Sequence, residues 1–148
     1  MNKPISIARY GLAYFFWAIT VALAFVALLV WRSSAMIALG MTNWDRYLEH
    51  ALNQFGFLVL AIVGLCVIIF AEFYYRTGVQ NQRLVQRFSL ITFIEVLAVA
   101  LAHLVQWIGG IVLELPISPI FFIVELAISI LFFALYWRAK AKALPLIL

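Results

Sequence analysis

The sequence predicts an all-α integral membrane protein: a bundle of four transmembrane helices with both termini cytoplasmic, and a short amphipathic helix at the outer surface. Three observations predict this fold class. Hydrophobic residues make up 68% of the 148 residues and charged residues only 11%, whereas a soluble domain is roughly half apolar. Four apolar runs approach the length of about 20 residues that crosses a hydrocarbon core. Lysine and arginine collect on one side of these runs.

The first two spans are predicted at residues 10–31 and 55–75. The first carries no charged side chain. Its apolar run exceeds the roughly 7 to 15 residues of a signal-peptide core, so it is expected to be a permanent anchor. The second span is apolar until Glu72, which is expected to snorkel to the interface or to pair with Arg76 four residues later. Gly78 is expected to end this helix in the left-handed conformation.

An outer interfacial helix is predicted at about residues 43–54, before the second span. Thr42 and Asp45 have the spacing of a capping box, in which both side chains bond to free amides at a helix start. Apolar side chains then recur at helical spacing, which favours a helix lying along the membrane surface. The residues leave both a bend at 54–56 and a straight run into the second span open. A solvated polar face explains the remaining side chains better than a metal site does; they are Asp45, Glu49, His50 and Asn53.

The third and fourth spans are predicted at residues 88–113 and 120–137. Pro116 and Pro119 separate them, because proline cannot continue a helix. Small and polar side chains on the third span recur at three- and four-residue steps, which places them on one helix face; they are Glu95, Ala98, Ala102, Gln106 and Gly110. An acid at mid-membrane costs about 2.5–3.5 kcal/mol, so this face is expected to point towards protein.

The intramembrane polar residues Glu95, His103, Gln106 and Glu125 are the candidate site. The helical rise puts the last three within ~8 to ~15 Å of the outer helix ends, so they can meet in depth. Interhelical hydrogen bonding is the simpler interpretation. A proton relay, or a site for the polar head of a quinone or lipid, is the functional one. His103, with Trp107 one turn on, is also a candidate ligand for a tetrapyrrole.

The basic residues predict the orientation in the cell membrane. Eight of the ten lie on one side of the spans, and the positive-inside rule makes that side cytoplasmic; they are Lys3, Arg9, Arg76, Arg83, Arg87, Arg138, Lys140 and Lys142. Only Arg32 and Arg46 lie on the other side. Residues 1–148 are expected to form a single membrane domain. Basic residues scattered in this way form no surface for nucleic acid.

The sequence contains no nucleotide-binding loop, serine-hydrolase elbow, zinc-protease motif or cysteine pair. We therefore expect no catalytic activity of its own, and assign no catalytic or metal-binding residue. The expected function is that of a small accessory subunit of a larger membrane complex, of an electron-transfer or light-harvesting kind, with other membrane subunits and lipid as partners. Two alternatives stay open: a homo-oligomeric transporter of protons or small solutes that uses the intramembrane Glu and His, or a quinone- or pigment-binding protein.

Overall fold

The computed structural model describes residues 7–42 and 45–143. The regular secondary structure of this part of the chain consists of four α-helices: α1 (Ile7–Gly40), α2 (Arg46–Gln80), α3 (Leu84–Val112) and α4 (Ile120–Ala143). All four are long and apolar enough to cross a membrane. The prediction of an all-α chain with four apolar spans is therefore confirmed.

Three of the helices run well beyond their predicted spans. α1 has 34 residues and α2 has 35, which at the helical rise is about 50 Å, against a hydrocarbon core of about 30 Å. α4 continues six residues past the predicted end at residue 137, to Ala143. Hydropathy locates an apolar stretch, whereas backbone hydrogen bonding continues beyond it, so these helices extend past the predicted spans.

The amphipathic stretch does not form a helix of its own. Residues 46–54 are the first turns of α2, which runs unbroken to Gln80; Asn43 and Trp44 of the predicted helix lie outside the described residues. The predicted capping box was also wrong. Thr42 Oγ1 instead donates to the carbonyl of Leu39 at 2.7 Å, and Asp45 precedes α2 without a side-chain capping bond.

The turn between α2 and α3 differs from the prediction at Gly78. This glycine stays helical, and Gln82, four residues later, takes the left-handed conformation with φ 54°. Gly78 is buried, and a Cβ placed on it would lie 2.8 Å from Arg87 Cδ and 3.4 Å from Leu84 Cα. The glycine therefore lets α3 approach α2 closely, which is a different use of its missing side chain from the predicted cap.

Helix α3 lies at the centre of the structure. It packs against α1, α2 and α4, and α1 also packs against α2, whereas within the described part of the chain α4 packs against α3 alone. In the most apolar window of α3, 44% of residues are buried, compared with 6% or 11% in the other helices. α3 is therefore the helix whose side chains contact protein on most sides.

The charges divide the structure into two ends. Basic residues mark the end where α1 begins, α2 turns into α3 and α4 finishes, which we call the basic end; those described are Arg9, Arg76, Arg83, Arg87, Arg138, Lys140 and Lys142. A hydrophobic core lies near this end, where Phe16 of α1 stacks on Phe88 of α3 with ring centroids 4.0 Å apart. Glu72 pairs with Arg76 at 3.7 Å, as expected.

Candidate functional site

The polar and small stripe of α3 faces the other helices. Glu95, Ala102 and Gly110 are buried, and Ala98 and Gln106 are half-buried. Because α3 starts at Leu84, Glu95 lies about 16 Å from the start of the helix. The Glu95 side chain is thus buried inside the protein, towards the middle of the helix.

Glu95 lines a cavity of about 200 Å³ where α1, α2 and α3 meet. The residue is only 6% exposed, and both carboxyl oxygens are buried without a hydrogen-bond partner among the described residues. Thr92, one turn earlier on α3, likewise has a buried hydroxyl without a partner in that part of the chain. Buried polar groups are usually paired, so this arrangement calls for an explanation.

Small residues on α1 and α2 leave the space of the cavity, and apolar side chains form its rim. Ala24 and Ala27 of α1 and Gly64 of α2 contribute little side-chain volume, and a Cβ on Gly64 would meet nothing within 4 Å. The rim includes Val63 and Ile94, which are 53% and 55% exposed. Glu95 therefore lies at the inner wall of a recess that opens onto the apolar outer surface of the helices.

His103 and Glu125 form a second polar contact, between α3 and α4. Glu125 Oε2 lies 2.7 Å from His103 Nδ1, and each side chain is 20% exposed. The ring of Phe121 stacks on the imidazole with centroids 5.7 Å apart. Among the described residues, the aromatic ring stacked on His103 is thus Phe121, while Trp107, one turn on, is half-buried. Because Glu125 engages Nδ1, Nε2 of the imidazole is left for another ligand.

Gln106 does not join His103 and Glu125. Its amide nitrogen donates instead to α1, to Ser34 Oγ at 3.1 Å and to the carbonyl of Val30 at 3.3 Å. Ser34 Oγ in turn lies 2.9 Å from the carbonyl of Ala102 on α3 and 2.8 Å from that of Val30. Depth alone suggested that the three residues meet, but Gln106 and His103 point to different neighbouring helices.

Sequence reasoning missed two hydrogen bonds between α1 and α2. The hydroxyls of Thr20 and Tyr75 are 2.7 Å apart and buried, and Trp17 Nε1 donates to the carbonyl of Ile68 at 3.1 Å. Thr20 is the single hydroxyl-bearing aliphatic side chain within residues 10–31, which is the signal that marks it. These bonds hold the two helices together on the basic-end side of the cavity.

The polar residues at the start of α2 form a separate, exposed group. Glu49, His50 and Asn53 line a surface recess with Met36 of α1, and His50 Nε2 lies 3.1 Å from Gln54 Nε2. Over residues 7–42 and 45–143, no three potential ligands come together in a metal-binding group.

The chain matches no known family model, no curated protein and no solved structure. Its function is therefore argued from the geometry above. Two acids on the apolar helices differ in their contacts: Glu125 has a partner in His103, whereas Glu95 has none among the described residues and lies against an open recess. Glu95 can thus exchange a proton or bond to a molecule that enters the cavity.

Proposed function

We propose that this protein crosses the cytoplasmic membrane four times, with both termini in the cytoplasm, and binds protons and a small lipophilic solute at Glu95. The observation that carries the proposal is the Glu95 side chain, 6% exposed and without a hydrogen-bond partner among the described residues. Burying an unpaired polar group costs free energy, which a solute bonded to it removes. Intramembrane acids commonly belong to ion or substrate pathways.

The distribution of charge supports the orientation. The basic end carries most of the described lysine and arginine residues, whereas Arg32 and Arg46 lie towards the opposite end. Short loops rich in these residues stay on the cytoplasmic side. Helix lengths above the roughly 30 Å of the hydrocarbon core leave room for tilt and for turns that project into water.

Cysteine labelling tests the orientation. In a Cys66→Ser background, Asn81→Cys places a thiol in the exposed α2–α3 turn and Ser118→Cys places one in the exposed α3–α4 connection. A membrane-impermeant maleimide is expected to label Ser118→Cys in intact cells, and Asn81→Cys only after the cells are opened. The reverse pattern would contradict the orientation, and labelling of both from outside would contradict the four spans.

A lipid-soluble carbodiimide tests the proposed role of Glu95, because it enters from the bilayer and adds to protonated carboxylic acids. One adduct per chain is expected, at Glu95 by mass spectrometry, lost in Glu95→Gln and retained in Glu125→Gln. Glu125→Gln is the matched control, since this second intramembrane acid is engaged by His103 at 2.7 Å. Modification of Glu125 or Glu72 with Glu95 unmodified would contradict the proposal.

The second candidate function is the subunit of a larger membrane complex. Within the described part of the chain α4 packs against α3 alone. The His103–Glu125 pair lies at this contact, which we call the α3–α4 seam, and each of its two side chains is 20% exposed. A helix from a partner subunit on this seam would remove the pair from lipid. The His103 Nε2 at the same seam is the position for a tetrapyrrole, if the complex is of an electron-transfer or light-harvesting kind.

Purification from the native membrane in a mild detergent decides between these functions. A subunit is expected to bring partners at fixed stoichiometry, and a tetrapyrrole at His103 would add visible absorption that His103→Leu removes. A single chain or homo-oligomer without visible absorption would contradict the second candidate and leave the Glu95 proposal standing.

A further inference from the structure

The cavity at Glu95 has the features of a site for a small cationic group. We infer that its solute is a lipophilic amine, bound as the ammonium ion to the Glu95 carboxylate; this inference rests on the proposed function. Among the described residues that line the cavity, Glu95 is the single ionisable one. An ammonium ion gains charge-assisted hydrogen bonds to its carboxylate.

The two unpaired oxygens of Glu95 favour an amine over a quinone. An ammonium group has three N–H donors, so it can bond to both oxygens of an ionised carboxylate. A quinone offers acceptors alone. It can take the single O–H of a protonated Glu95 but leaves the other buried oxygen without a donor, and an unsatisfied buried acceptor is costly.

Cavity size and rim define the rest of the solute. A volume of about 200 Å³ is below the roughly 300–1,000 Å³ of pockets for drug-sized ligands, so it holds a head group and a short segment. The exposed rim residues Val63, Val67 and Ile94 are apolar, and the remainder of the molecule lies along them in the bilayer. The solute is therefore amphiphilic, with a compact amine at one end.

The inference predicts that protons are released when the amine binds. With the cavity empty, Glu95 carries a proton, because an ionised carboxylate without partners in an apolar site is costly. An ammonium ion that arrives from water replaces this proton, so one proton is released for each amine bound. On α2, the hydroxyl of Tyr75 lies 2.7 Å from that of Thr20, so its hydrogen-bond partner is Thr20 rather than Glu95.

The experiment uses the full chain in lipid nanodiscs, with 4-phenylbutylamine as probe and 4-phenylbutan-1-ol as its uncharged analogue. Empty nanodiscs give the partition into lipid. Saturable binding of about one amine per chain is expected, with about one proton released per amine in weak buffer at pH 7. The alcohol is expected to bind about 10- to 100-fold more weakly, as charge-assisted bonds predict.

Two pairs of variants distinguish a loss of the binding site from a loss of the fold. Glu95→Gln is expected to weaken amine binding about 10- to 100-fold and abolish proton release, while Glu125→Gln changes neither. Gly64→Leu is expected to block the amine by filling the cavity, whereas Gly56→Leu, on the same helix but outside the cavity, does not; a Cβ at either glycine meets nothing within 4 Å.

Four results would overturn the inference: no saturable binding of the amine, equal binding of amine and alcohol, binding that Glu95→Gln leaves unchanged, or binding without proton release. The last, with a short-chain quinone competing for the cavity, would identify a neutral ligand instead. Carbodiimide modification keeps the two proposals distinguishable. If Glu95 reacts with the carbodiimide and 4-phenylbutylamine neither binds nor slows that reaction, the amine is wrong and the proposed role of Glu95 stands.

Discussion

The contact of Gly109 with α1 offers a sharp test of the helix packing. Gly109 is buried near the end of α3, and a Cβ placed there would overlap Cγ2 of Ile37 on α1 and lie 3.6 Å from Met41 Cε. Gly109→Ala therefore forces α1 and α3 apart, because the new methyl collides with Ile37 Cγ2. This atom is bonded to the Cβ of Ile37 and cannot move away without a shift of the α1 backbone. Overpacking of this kind typically costs about 1–3 kcal/mol.

The separation also stretches nearby hydrogen bonds. Ser34 Oγ lies 2.9 Å from the carbonyl of Ala102 and 3.1 Å from Gln106 Nε2, so a displacement of about 1 Å takes both beyond hydrogen-bonding distance. Interhelical bonds in membrane proteins contribute about 0.6 kcal/mol each on average. Adding two such bonds to the overpacking gives an expected loss of about 2–4 kcal/mol for Gly109→Ala.

Unfolding in mixed micelles of a mild detergent and sodium dodecyl sulfate, followed by circular dichroism, measures this loss. Gly56→Ala is the matched control, since its new methyl meets nothing within 4 Å and alanine is the better helix former. Adding Ile37→Ala to Gly109→Ala is expected to restore part of the stability by removing Cγ2. If Gly109→Ala is as stable as Gly56→Ala, the described α1–α3 packing is wrong.

Three further predictions concern the interhelical hydrogen bonds. Thr20→Val and Tyr75→Phe, combined in a double-mutant cycle, are expected to show a coupling of about 0.6 kcal/mol and no more than about 1.7, measured by the same unfolding assay; no coupling would contradict the 2.7 Å contact. Gln106→Leu is expected to lower stability by about 1 kcal/mol in the presence of Ser34 and by less in a Ser34→Ala background, because the two side chains bond to each other at 3.1 Å; additive effects would contradict that bond. His103→Leu leaves the Glu125 carboxyl without its partner and is expected to be less stable than the double variant His103→Leu/Glu125→Leu; the opposite order would contradict the 2.7 Å pair.

Some features of the fold are local and were therefore predictable. Four apolar runs and their bounding charges predicted four helices in the right places, because hydropathy sums over neighbouring residues along the chain. The helix ends were less predictable. The start of α2 at Arg46 and the continuation of α1 to Gly40 depend on backbone bonding beyond the stretches that hydropathy assigns to spans.

The candidate site was predictable in part. The cost of an acid at mid-membrane required Glu95 to face inward, and it does, at 6% exposure. The cavity beside it was not predictable, because it depends on how Ala24 and Gly64, far apart in sequence, come together with α3. The same holds for Gly78, which the sequence marked as special although its role in close packing required a neighbouring helix.

The amino-acid composition and the positions of the basic residues along the chain were thus sufficient to determine four apolar helices with one strongly basic end. Tertiary structure alone decided the partner of each polar side chain. His103 and Gln106 are three residues apart and so point about 60° apart around α3, which is enough to direct one to Glu125 on α4 and the other to Ser34 on α1. Helical periodicity gives that angle, but the helix that each side chain meets depends on how all four pack.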